Sequence, residues 1–182
     1  VARGKTFSFG GFTSPRVPAG TYKAIIRKGK DVFEYTFNLA YEDNGISLAD
    51  REAKDKMTMS LYNMTQELAY LVYQVDAYLD QAQKAGDKRE LSKLTTLKES
   101  LVVTTGDNYV GTAEPQLREK MADAYSKIAS DYGAPAAADL QNIELIRARF
   151  ANARQEFETL KPKVKGWEEV SIPAFDAFLE MD

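Results

Sequence analysis

The 182-residue sequence contains no histidine and no cysteine. Without histidine, the chain lacks the side chain that most often moves protons near neutral pH and most often ligates transition metals. Without cysteine, it has no thiolate nucleophile, no thiolate metal site and no disulfide. Its stability therefore rests on packing. No apolar run approaches the roughly 20 residues needed to span a bilayer. Neither sign of charge dominates: 24 Lys and Arg stand against 27 Asp and Glu, interspersed, for a net charge of −3. With no basic stripe, nucleic acid is not an expected partner. No internal repeat or low-complexity stretch occurs, and no signal-peptide pattern follows Val1. An opening of Val1-Ala2-Arg3-Gly4 running straight into strand-like sequence reads as the C-terminal part of something longer.

What is present is periodicity. Lys5–Phe9 reads as a short strand ended by Gly10-Gly11, and Pro18-Ala19-Gly20 marks a turn. Thr21–Arg27 reads as a strand with Tyr22, Ala24 and Ile26 on one face. Lys28-Gly29-Lys30-Asp31 is a hairpin connection. In Val32–Tyr41, Phe33, Tyr35, Phe37, Leu39 and Tyr41 alternate with Glu34, Thr36 and Asn38, the period of a half-buried strand. A lone hairpin is marginal in water. These strands must therefore pack on helices or finish a sheet whose other strands lie upstream.

Helical periodicity takes over after Asp43-Asn44-Gly45, with Ser47 as N-cap and Asp50 in the first turn. The first helix is expected from Leu48 to Lys84, with Met57, Leu61, Met64, Leu68, Leu71, Val72, Val75 and Leu79 as its seam. Gly86-Asp87 breaks it. A second helix is expected over Lys88–Thr104, burying Leu91, Leu94, Leu97, Leu101 and Val102. A third starts near Glu114-Pro115, proline suiting the first turn, and buries Leu117, Met121, Ala124, Tyr125 and Ile128. A fourth covers Asp139–Leu160, with Leu140, Ile143, Ile146, Phe150, Ala153, Phe157 and Leu160 inward. Trp167 and the Phe175, Phe178 and Leu179 trio anchor a tail that folds back. The expectation is a mainly α chain: an antiparallel bundle of about four helices with a small N-terminal antiparallel β segment. Its parts are the β segment (1–45), the bundle (46–165) and a tail with a short helix (166–182).

Four features could carry function, one of them the hairpin itself, whose unpaired strand edge could recruit another chain by strand addition or pair with upstream strands of the parent protein. The loop Thr104–Gly111 sets Asp107, Asn108 and Tyr109 between glycines, where they could hold a small ligand or ion. It lacks the alternating oxygens and terminal glutamate of an EF-hand, and turn chemistry alone explains its residues. Paired carboxylates of a glycosidase stand roughly 5 to 9 Å apart. Glu34, Asp43, Asp76, Asp80, Asp107 and Glu114 are the candidates, and among so many acids some pair meets any distance by chance. Tyr62, Tyr70, Tyr73 and Tyr78 stripe the first helix, either as an aromatic binding face for a glycan or protein or as the edge of the core. No catalytic residue, metal ligand or cofactor is expected.

The segment Phe12-Thr13-Ser14-Pro15-Arg16-Val17-Pro18-Ala19-Gly20-Thr21-Tyr22-Lys23 resembles the last strands of an Ig-like domain. Such domains occur in large bacterial secreted proteins that carry BNR or Asp-box repeats folded as sortilin-like β-propellers. Those proteins are commonly labelled glycosyl hydrolases. Met59-Ser60-Leu61-Tyr62 and Glu67-Leu68-Ala69-Tyr70-Leu71-Val72 are similar to the start of the helical region that follows there. Thr104–Gly111 with Ala113-Glu114-Pro115-Gln116-Leu117-Arg118-Glu119-Lys120 is similar to its middle. The likeness runs from about residue 7 to 160, and the glycine-rich loop before Glu-Pro-Gln-Leu-Arg is its most specific part.

The resemblance implies a secreted, periplasmic or envelope protein of bacterial origin. Its partners would be the upstream Ig-like strands and propeller of its own parent chain, with another protein or a glycan beside them. The propeller, where a glycosidase-like site would lie, is not in this sequence, so the resemblance carries no catalytic residue onto it. The implied role is a non-catalytic C-terminal structural or interaction module. The alternatives are a loop or carboxylate lent to an active site completed by the propeller, and a glycan- or protein-binding module.

Overall fold

The computed structural model describes residues 15–104, 113–164 and 166–170. Two strands, β1 (Gly20–Lys28) and β2 (Asp31–Leu39), precede four helices: α1 (Leu48–Lys84), α2 (Lys88–Leu101), α3 (Leu117–Ser130) and α4 (Ala137–Leu160). A 3-10 turn, Lys161–Lys163, follows α4. The chain is mainly helical, with one small antiparallel sheet at its N-terminal side. The expected strand at Lys5–Phe9 and the Phe175, Phe178 and Leu179 anchors lie outside the described residues.

Local chemistry sets the element ends. The Asp50 N–H donates to the Ser47 hydroxyl at 3.1 Å and starts α1. At its other end Gly86 takes φ 69°, a conformation only glycine adopts freely. Its N–H reaches Gln83 O, while the Asp87 N–H reaches Ala82 O, the paired bonds of a Schellman cap. The Asp87 carboxylate then accepts from the Glu90 N–H at 3.2 Å and opens α2. One residue thus closes one helix and begins the next, which turns α2 back along α1.

The strand bounds shift by one or two residues, with β2 ending at Leu39 short of Tyr41, α4 starts at Ala137 ahead of Asp139, and two helix boundaries differ for a visible reason. Helix α2 stops at Leu101 because Val102 goes extended while its side chain stays in the core. Helix α3 starts at Leu117, so Pro115 lies before the helix; there the Gln116 N–H donates to Glu119 Oε2 at 3.2 Å, a cap from within the first turn.

Helices α2 and α3 share the long rod between them. Lys98 on α2 pairs with Asp76 in the second half of α1 at 2.5 Å. The last turns of α3, around Tyr125 and Ala129, face the first turns of α1, around Lys54 and Thr58. Helix α4 runs in the same direction as α1: Arg147 bonds Ser60 at 2.8 Å and Arg154 bonds Glu67 at 2.9 Å. The bundle is therefore an up-down-up arrangement whose middle rod is broken in two. At 1.5 Å per residue, two 14-residue helices span about 42 Å of a rod about 55 Å long.

One core runs through it. Leu61, Leu68, Val72, Val75 and Tyr78 of α1 meet Leu94, Leu97 and Leu101 of α2, Leu117, Met121 and Ile128 of α3, and Ile143, Ile146 and Phe157 of α4. Leu140, expected in the α4 seam, is instead exposed. Asp139 takes the inward place on that turn because its carboxylate binds the Lys127 ammonium on α3.

Candidate interaction surface

The hairpin closes through Gly29 at φ 61°, followed by Lys30 without a positive φ, the pattern of a type II′ turn. This sets the register Tyr22↔Phe37, Ala24↔Tyr35 and Ile26↔Phe33. Residues directly opposite share a face, so the apolar sets of the two strands merge. The Tyr22 and Phe37 rings lie 6.2 Å apart, and the Tyr35 and Phe37 rings stack at 6.3 Å. The other face is largely polar: Thr21 bonds Asn38 at 2.7 Å, and Lys23 pairs with Glu34 at 2.6 Å.

Much of the apolar face is exposed: Ile26 is 64%, Phe33 58% and Tyr35 70% exposed, Tyr22, Ala24 and Phe37 are half-buried, and no described helix packs on the hairpin beyond marginal contact. With Leu39, these side chains present on the order of 500 Å² of apolar surface, toward the upper end for the largest patch on a monomer. Among the described residues, each strand also has one edge without a neighbour.

A polar joint ties the hairpin to α1. The Tyr41 hydroxyl donates to Asp55 Oδ2 at 2.6 Å. The Arg51 guanidinium lies 5.0 Å from the centre of the Tyr41 ring and donates to Glu42 O at 2.6 Å and to the Asn44 side chain. The Asp55 carboxylate, followed by burial, pushes the Tyr41 hydroxyl above its ordinary pKa. This joint went unnoticed in the sequence, where Tyr41 reads simply as the last member of the strand alternation.

The tyrosine stripe does not form one surface. Tyr78 is buried, edge-on to Phe157 with ring centres 5.4 Å apart, and burial raises its pKa. Tyr62 packs against the main core, and Tyr70 and Tyr73 against Ala69. Asp107, Asn108 and Tyr109 lie outside the described residues. Of the candidate carboxylates, Glu34 pairs with Lys23 on the hairpin, Asp76 pairs with Lys98 on the bundle, and Asp80, one turn on from Asp76, is exposed on α1.

A cleft of about 630 Å³ separates Pro15, Arg16 and Pro18 from the first turns of α1 and the end of α3. Arg16, Lys54 and Lys56 are among its lining, but Asp55 there already serves Tyr41 and the Thr58 hydroxyl already donates to Lys54 O at 2.9 Å. Among the described residues, the one buried side-chain polar atom without a partner is Glu90 Oε2; the other oxygen of that carboxylate pairs with Lys93 at 2.8 Å. No acidic cluster among the described residues could hold a metal ion, and no described helix is long and apolar enough to cross a membrane. No protein-family model, curated protein or solved structure matches the chain.

Proposed function

We propose that this chain is a non-catalytic structural and interaction module of a larger secreted bacterial protein of the sortilin-like Asp-box propeller type. In this reading, Gly20–Leu39 supplies the closing strands of an Ig-like sheet, and the helices form the region behind it. One observation carries it: a hairpin with one apolar and one polar face is left uncovered beside a bundle whose own core is closed. One-sided amphipathicity calls for a cover on one face, as in a two-layer sandwich. Covering about 500 Å² is worth on the order of 10 kcal/mol gross, before ordering and association costs. Helices and polar joint then brace that sheet. The glycan-binding reading of the tyrosine stripe draws less support, since Tyr78 is a core residue.

The test is to express the chain alone and joined to the coding sequence that precedes it, and to follow amide exchange of residues 20–39. The joined form should slow exchange there at least a hundredfold, and the chain alone should not hydrolyse aryl-glycosides. Equal exchange in both forms would remove the Ig-like reading. Hydrolysis by the chain alone would remove the non-catalytic one.

A further inference from the structure

Beyond the bundle, residues 166–170 run back along α1 and are held there by their backbone. The Gln81 side-chain amide donates to Glu168 O at 3.1 Å and accepts from the Glu168 N–H at 2.9 Å. Both bonds go to the main chain, so they are blind to the residue at that position. Side chains supply the rest: the Trp167 ring lies 6.0 Å from the Tyr78 ring, and Val170 packs against the core.

We infer that the α1 surface around Tyr78 and Gln81 is a binding site for a short peptide of the pattern Trp-x-x-Val, occupied in this chain by its own residues 167–170. A double bond to one peptide unit is how a helix can read backbone in place of sequence, and the aromatic and aliphatic contacts at either side set the preference. Tethering supplies a local concentration in the millimolar range for a short link, so a weak site is filled in cis. The strap buries little, with Trp167 36% exposed and Glu168 and Glu169 exposed. Segments with so few buried contacts open at low cost. When it lifts, the same groups are free to hold the equivalent segment of another chain.

The sequence makes the test clean, because Trp167 is its only tryptophan. The Trp167→Ala full-length chain has no tryptophan fluorescence and a weakened strap. An acetylated, amidated Gly-Trp-Glu-Glu-Val peptide then reports its own burial. Saturable binding is expected, at least tenfold tighter than to the wild-type chain, and at least tenfold weaker when Gln81→Ala is added or when the peptide tryptophan is replaced by alanine. Glu168→Pro deletes the clamped N–H and gives a second release, read by movement of the Gln81 side-chain amide resonances when peptide is added. No saturable binding to either released chain at millimolar peptide would overturn the inference, as would binding indifferent to Gln81→Ala.

Discussion

Tyr41 and Gln81 do at the level of single side chains what the larger packing does not: they fasten segments that the core leaves outside. Tyr41 holds the strand exit through Asp55, and this contact sets a pH dependence. Its folded pKa lies above the ordinary value of about 10. The contact's stabilisation is therefore fully present below about pH 10 and is lost as pH rises through the folded value. In an alkaline spectrophotometric titration, Tyr41 should deprotonate above its ordinary value, and Tyr41→Phe should remove that late step. The variant should also flatten the loss of stability above pH 10; an unchanged profile would mean that the Asp55 contact is not made in solution. Neither fastening was legible in the sequence. A tyrosine at the end of an alternating strand and a glutamine on a polar helix face have many ordinary roles, and only the approach of distant chain segments assigns these.

The elements themselves were largely legible, because each helix carries both its period and its stop. Helix α1 runs from Leu48 to Lys84 as its seam and the Ser47 and Gly86 signals require. Misreadings came where two local signals competed. Pro115 suited a helix start, but the Gln116 and Glu119 cap lies beyond it. Leu140 fitted the α4 stripe, but Asp139 and Lys127 turned that position outward. This difference is measurable. Leu68 is fully buried, so Leu68→Ala should cost about 2–5 kcal/mol in denaturant unfolding. Leu140 is 40% exposed, so Leu140→Ala should cost under about 1 kcal/mol. Equal costs would contradict the inward turn of Asp139.

At the scale of the whole molecule, two parts of unlike packing are joined by the polar contacts of Tyr41 and Arg51. The bundle closes its core with its own residues, whereas the hairpin has two strands, one apolar face and, among the described residues, no helix beneath it. That imbalance could be anticipated from a strand pattern too short for a sandwich, but whether the helices would cover it depended on the direction of the chain after Leu39. Native-state amide hydrogen exchange on the chain by itself tests this division most directly. The account predicts that amides of the β1–β2 ladder exchange by local opening, with protection at least a hundredfold below that of α1 amides between Leu68 and Val75. Protection of the hairpin equal to that of α1, rising and falling with it as denaturant is added, would contradict it.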